Sequence, residues 1–327
     1  MFPPWLSELE VTLAVAVDHD RFPHAVLIHG AYGSGRRCLV NNVAARLLHI
    51  TNAGLGPADP VADREGESIR HPDFLAVRPA PDKHSIGVEQ IRELIDFLQL
   101  TSHQRGAKLV SVYPADAMTA NAANSLLKTL EEPPAGSVIF LVTEALSRLP
   151  LTIISRCQRV RVPVAPSEIA LSWLQQIDAG PDWASILEVA GGAPFLALEM
   201  HQSGLTDRAG EFDRDLEALI RKQENVIVVA RRWVNYGDGF ALRWLYRKVA
   251  GLIRQQLAGP HGVDERPDSR SIDLQAGGDA PNIEPYFGYL QAVGDLRRLQ
   301  TTGINVEMNL VRLLIAWYGG FHGLGDE

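Results

Sequence analysis

Cysteine is almost missing from this chain of 327 residues: Cys38 and Cys157 are the only two. Two thiols give neither a disulfide framework nor a cysteine-built zinc site. The ten histidines fall into no HxxxH or HExxH pattern, so metal catalysis has no support in the sequence. Positive charge is in deficit: 31 lysines and arginines against 39 carboxylates leave a net charge of −8. That balance argues against an isolated DNA binder relying on a basic surface. It leaves room for membership of an assembly in which other subunits hold the nucleic acid. No apolar run approaches membrane-spanning length and no charged-then-apolar segment opens the chain, so the expectation is a cytoplasmic protein with no membrane contact. What is present, 46% apolar and 21% charged residues, is a globular profile with length for two or three separate cores.

The most informative stretch runs from Asn121 to Cys157. Ala123, Leu126, Leu127 and Leu130 recur at helical spacing, with Thr119 as the expected N-cap. Pro133 and Pro134 stop that helix, because proline has no N–H and pushes the preceding residue out of helical geometry. Val138 to Val142 is then a continuous apolar run of buried-strand length. A short helical segment follows and ends on Ser155-Arg156-Cys157.

Upstream, a helix over Phe2–Asp18 enters through Pro3-Pro4, with Trp5, Leu9, Leu13 and Ala16 near one face. Ala25–Ile28 is a short buried strand, and Gly30-Ala31-Tyr32-Gly33-Ser34-Gly35 follows at once. Leu39, Val40, Val43 and Leu47 then mark a helix. Strand, glycine loop and helix are the context of a phosphate-binding loop, whose N–H groups converge on an anion at the helix N-terminus. The pattern GxxxxGK[ST] would place lysine at Arg36 and a hydroxyl at Arg37. Arginine at 36 holds phosphate with a different reach and fork. Arg37 is a cation where a hydroxyl would ligate Mg²⁺. Two readings stay open here: a degenerate nucleotide site built on Gly30, Gly33, Gly35 and Arg36, or a strand-to-helix turn kept for folding. Further strands are expected at Phe74–Val77 and Lys108–Tyr113, and a helix from Ile86 to about Leu100 with Ile91, Leu94, Ile95 and Leu98 on one face. Residues 51–73, rich in Gly, Pro and Asp, read as an irregular connection.

The string NAANSLLKTLEEPP, with SRC at the right distance after it, resembles the clamp-loader branch of the AAA+ family. The resemblance implies an α/β AAA+ P-loop module, a parallel sheet with flanking helices, over residues 1–165. It also implies a small helical lid over 166–205 and an all-α collar over 206–327. An active member carries an Asp-Glu pair at the end of the 108–113 strand to hold Mg²⁺ and polarise water. Those places fall on Tyr113 and Pro114, with Asp116 beyond them in the next turn. Thr143 takes the polar sensor 1 place. The sensor 2 arginine place is taken by Phe195. Many members have a four-cysteine zinc module in 51–73; this chain has no cysteine there, so no metal is expected.

The family's SRC arginine reaches into a neighbour's ATP site, so Arg156 is implied to be an arginine finger acting in trans. The other reading of Arg156 is a surface cation paired with an acidic neighbour, and Cys157 reads as a buried thiol. The resulting expectation is a chain without its own cofactor or ATPase activity, part of a polymerase holoenzyme, with ATP and Mg²⁺ on partner subunits. Those partners would be gamma/tau-like and delta-like, and the complex would engage primer-template DNA and the sliding clamp. The alternative is an active P-loop ATPase with an unconventional Mg²⁺ site. Gln158–Val164 alternates like an edge or half-buried strand, Pro163 and Pro166 mark a boundary, and Ser167 is the expected cap of the first lid helix. Beyond it, helices are expected at Glu211–Arg221, Val226–Val234, Ala241–Leu257, Tyr286–Leu299 and Val306–Tyr318, with a loop at Asp264–Pro281. Trp233, Trp244 and Trp317 sit in their apolar patterns, as core or as an inter-subunit surface. Arg231-Arg232 and Arg297-Arg298 read as solvated faces.

Overall fold

Short runs of β-branched and aliphatic residues flanked by glycine or proline become strands here, and all of them run parallel. The computed structural model describes residues 1–19, 21–50, 71–80, 83, 85–102, 107–202, 204–236, 240–258, 283–299 and 305–321. The strands are β1 (Ala25–His29), β2 (Phe74–Val77), β3 (Lys108–Val112), β4 (Ser137–Thr143) and β5 (Gln158–Arg161), in the order β2-β3-β4-β1-β5. β3 and β4 are buried along their whole length. That is why Val138–Val142 reads as an unbroken apolar run, since a parallel strand covered on both faces has no solvent side; β3 also buries Lys108, paired with Asp73, and Ser111. Edge strand β5 instead buries Val160 and exposes Arg159 and Arg161, so charge blunts an open edge.

Helices α1 (Ser7–Asp18), α2 (Arg36–Leu47), α3 (Val88–Gln99), α4 (Ala120–Glu131) and α5 (Leu151–Ile154) connect and cover the sheet. Leu27, Val110, Val112, Ile139 and Leu141 pack with Ile91, Leu94, Leu98, Ala123, Leu126 and Leu130 in one core cluster. The alternate strand positions Val26, Ile28, Phe140 and Val142 are equally buried and point to the other face, as the two-residue pleat requires. Thr119 caps α4, its hydroxyl accepting the Ala122 N–H at 3.2 Å, a contact worth about 1 kcal/mol.

The lid helices are α6 (Ser167–Ile177), α7 (Trp183–Val189) and α8 (Pro194–Gln202). Ser167 is not the cap: Pro166, in extended geometry, takes that position, and Ser167 is already the first helical residue. The chain separates into two compact units, Met1–Thr206 and Asp207–Glu327; sheet and lid helices share the first.

The second unit holds all but the first two residues of α9 (Leu205–Ile220), and α10 (Val226–Asn235), α11 (Phe240–Ala258), α12 (Glu284–Leu299) and α13 (Val306–Tyr318). Phe212, Trp233 and Trp244 form an aromatic knot with ring centroids 4.5–5.8 Å apart. The Trp233 indole N–H donates to buried Asp215 at 2.8 Å. Trp317 is buried too and packs on Tyr289 at 5.8 Å. These tryptophans are therefore core, as burying a large amphipathic ring favours when its N–H finds a partner. Arg231 is exposed and pairs with Glu307, whereas Arg232 reaches Asp215. Residues 51–70 of the connection expected over 51–73, and the loop expected over 264–281, lie outside the described residues, as do the side chains of Arg297 and Arg298. Among the described residues no helix is long and apolar enough to cross a membrane.

Candidate functional site

In an all-parallel sheet the loops leaving the strands gather along one edge, where such sheets bind ligands. Here that edge carries the glycine loop after β1, Tyr113 to Asp116 after β3, and Thr143-Glu144 at the end of β4. The glycine loop turns through the left-handed region twice: Gly33 has φ +72° and Gly35, capping α2, has φ +98°. Only glycine takes such angles without steric cost.

Residues of α8 pack closely against that loop. A Cβ at Gly33 would lie 2.7 Å from the backbone N and the Cβ of Leu196; one at Gly35 would lie 2.7 Å from the Phe195 ring. The Phe195 N–H donates to the Gly33 carbonyl at 3.0 Å. From the opposite end of the sequence, the Trp5 indole N–H donates to the Ser34 carbonyl at 2.9 Å. Trp5, Trp173 and Phe195 then pack as a triangle with centroids 5.1–6.1 Å apart. The Tyr32 hydroxyl donates to Glu199 of α8 at 2.8 Å. Thus Phe195, at the position where an active relative of the resembled kind has its sensor 2 arginine, lies as an apolar ring on Gly35.

The polar positions are likewise turned inward. Arg36 is 4% exposed and its Nη2 donates to Glu144 at 3.3 Å. Its guanidinium lies 5.8 Å from the centre of the Tyr113 ring, and that of Arg37 lies 5.1 Å from it. An aromatic face therefore meets two cations where a hydrolytic relative would have a carboxylate. Asp116 is no substitute. One of its oxygens accepts the Thr143 hydroxyl at 2.6 Å and the other accepts from Arg148 at 3.3 Å. Thr143, fully buried, also accepts the Ala145 N–H at 3.1 Å. Among the described residues no three His, Cys, Asp or Glu side chains gather as a metal site. Two buried polar atoms in this region, Ser34 Oγ and Arg36 Nη1, have no hydrogen-bond partner.

Arg156 belongs to a different neighbourhood. Glu131 ends α4, Pro133-Pro134 turn the chain, and after β4 and α5 it returns beside that helix end. The Arg156 Nε donates to Glu131 Oε1 at 2.8 Å, Nη2 donates to the same oxygen, and Nη1 donates to the Thr152 carbonyl at 2.9 Å. A third of the side chain remains exposed. The acidic pairing that the sequence left as one reading of Arg156 is present, on a residue that still faces solvent.

The family model for "DNA polymerase III, delta subunit" matches residues 6–165. DNA polymerase III subunit delta' of Pseudomonas aeruginosa is 32% identical, covering 96% of both chains. The same subunit of Escherichia coli is also 32% identical, over 95% of this chain and 94% of its own. This chain belongs to the DNA polymerase III delta-prime family. A looser likeness in shape links it to a gamma subunit-related protein of Thermotoga maritima, at 20% identity and a TM-score of 0.49 over 96% of this chain and 99% of that one.

For a delta-prime family member, several residues at the site escape a reading of the sequence alone. Trp5 and Trp173 read as ordinary apolar helix positions; nothing local says that they meet on the glycine loop. Glu144 and Glu131 lie inside the quoted motif region, yet pairing each with its arginine needs the fold. His29, at the end of β1, has its pKa lowered first by burial and then by Arg161, Arg159 and Arg36. The edge around it is thus a zone of positive potential in a chain that is acidic overall. Cys157 is half-buried and burial pushes its thiol up to about 11, which makes it an inert packing thiol at neutral pH.

Proposed function

We propose that this chain is a structural, non-hydrolytic subunit of a sliding-clamp loader and that it lends Arg156 to the ATP site of a partner subunit. The observation that carries the first half is the Tyr113 ring at the end of β3, which lies 5.8 and 5.1 Å from the Arg36 and Arg37 guanidiniums where an active relative of the resembled kind has its Mg²⁺-holding carboxylate. Magnesium needs a hydroxyl and a carboxylate, and Arg37 and Tyr113 stand in their places. The residues present do not fit a magnesium nucleotide, so no hydrolytic step is assigned to this chain and no cofactor is proposed on it.

The second half rests on family membership and on the exposure of Arg156. A guanidinium brought to a partner's γ-phosphate offsets the negative charge that spreads over its oxygens as the bond to the leaving group loosens. Its five N–H groups fit phosphate geometry, and its charge is permanent at any working pH. ATP and Mg²⁺ would then sit on gamma/tau-like ATPase subunits. A delta-like subunit would complete the assembly, and primer-template DNA and the clamp would be engaged by the complex as a whole. The helical unit Asp207–Glu327 is proposed as the collar that joins the subunits.

The test is reconstitution. The purified chain alone is expected to turn over no ATP. Arg156→Ala is expected to leave assembly intact and to slow hydrolysis at the one site it serves by about 10³-fold or more, the worth of an arginine finger, so that total ATPase and clamp loading both fall. Stoichiometric Mg²⁺-dependent turnover by the isolated chain would overturn the non-hydrolytic reading. An unchanged rate in Arg156→Ala would remove the finger. One observation favours a second reading, anion binding without hydrolysis: the unpartnered Ser34 Oγ and Arg36 Nη1 close to the start of α2. Calorimetric titration of the isolated chain with ATP, without and with Mg²⁺, tests it directly.

A further inference from the structure

The finger reading leaves open how a long, flexible arginine is aimed before it meets its phosphate. We infer that Glu131 is the positioning residue of Arg156, an inference that rests on the finger reading. All three guanidinium nitrogens are engaged from two separate elements. Nε and Nη2 converge on a single oxygen, Oε1 of Glu131, at the end of α4. Nη1 is held by the Thr152 carbonyl of α5 at 2.9 Å, with the Ser155 hydroxyl further off at 3.4 Å.

This grip fixes the plane as well as the location of the group. A planar fork bound along its Nε–Nη2 edge by one oxygen and at Nη1 by another cannot rotate about its terminal bonds without breaking a contact. It is not saturated. The guanidinium has five N–H groups, of which three make these close bonds, and the Ser155 contact is long enough to be displaced. Hydrogens on the outer nitrogens remain for an incoming anion. Both anchoring groups are themselves tied to stable structure. α4 contributes Leu126 and Leu130 to the core and is stopped by Pro133-Pro134, while Ile153 of α5 is buried in the same cluster. An exposed ion pair adds little to folding stability, so the value of this one lies in removing rotamer freedom that the finger would otherwise lose on engagement.

The experiment is the steady-state ATPase of the reconstituted clamp loader carrying Glu131→Gln, Glu131→Asp, Arg156→Ala or Glu131→Gln with Arg156→Ala. If Glu131 aims the finger, Glu131→Gln slows hydrolysis at the site Arg156 serves about two- to tenfold, the cost of ordering one long side chain, so that total kcat falls by less than in Arg156→Ala, with KM for ATP and assembly unchanged. Glu131→Asp, which keeps the charge on a shorter arm, recovers part of the loss. In the Arg156→Ala background Glu131→Gln has no further effect. Three outcomes overturn the inference. Unchanged or increased kcat in Glu131→Gln means the aim does not depend on the carboxylate. An equal loss in the Arg156→Ala background means Glu131 acts elsewhere. No effect of Arg156→Ala itself means that the finger reading fails and takes the positioning role with it; the first two leave the finger standing.

Discussion

Phe195→Ala tests whether the ring packed on the glycine loop is part of the core. The ring is 6% exposed, rests on Gly35, and packs against Trp5 and Trp173. Removing it deletes buried apolar surface and leaves a void bounded by a glycine loop that is already hydrogen-bonded to the lid backbone and to Trp5. Collapse around that void is therefore restricted, and the expected loss is about 3–5 kcal/mol. With a urea slope of about 3 kcal/mol/M for a unit of this size, the midpoint falls by about 1–1.7 M. The assay is urea unfolding followed by tryptophan fluorescence and circular dichroism, fitted as two transitions because the chain has two compact units. Only the transition of Met1–Thr206 should move. A parallel series with Mg²⁺-ATP supplies the chemical half of the argument, since a ligand that binds only the folded state raises its stability by mass action. No rise is expected in either protein: removing the ring frees space, but Arg36 keeps Glu144 as its partner and the Mg²⁺ ligands are still missing. A loss below about 1 kcal/mol, outside the range for a buried ring, would refute the packing argument. An ATP-dependent rise in the unmodified chain would refute the proposal that this chain takes no Mg²⁺-ATP.

Two further outcomes follow from the charges and thiols. His29 should titrate below the usual histidine range by NMR, and Arg161→Gln should move it upward. Because its folded pKa is depressed, the unfolded state takes up the proton first, so its contribution to stability is present above about pH 6.5 and is lost as pH falls from there toward the folded pKa. A His29 resonance titrating at or above the unperturbed value would contradict this. In a Cys38→Ser background, Cys157 should react with a thiol reagent at pH 8 on the order of a hundredfold more slowly than an ordinary cysteine, because burial raises its pKa to about 11 and only the thiolate attacks. Rapid labelling of the folded protein would show that the thiol is not held in the core.

Much of the site was legible residue by residue because it was local. The α4 start at Thr119, its stop before Pro133, the strand at Ser137–Thr143 and the glycine loop between β1 and α2 each depend on side chains within a few positions of one another. So do the replacements that disfavour hydrolysis, since Arg36, Arg37, Tyr113 and Phe195 are read by counting from a neighbouring motif. The apolar periods of the second unit placed its later helices closely, the bounds of α13 matching at both ends, but α9 starts at Leu205, six residues before the expected Glu211, because its first turns carry no apolar period of their own. Where local reading went astray, at Ser167, the choice between adjacent residues for a cap depended on backbone angles that sequence does not display.

What the sequence by itself determined is the set of elements and the loss of the nucleotide's ligands. What only the tertiary structure decided is what took their place. Trp5 meets Ser34 across 29 positions, Arg36 meets Glu144 across 108, Thr143 meets Asp116 across 27, and Arg156 meets Glu131 across 25. Periodicity records which face of an element is apolar, and the propensity of a residue records what its own backbone prefers. Neither records which distant side chain will stand opposite once the sheet has assembled in the order β2-β3-β4-β1-β5. Packing chooses those partners, because a buried polar group or ring is stable only against a neighbour that satisfies it. In this chain, packing set Phe195 against the glycine loop and left Arg156 a third exposed, held by Glu131.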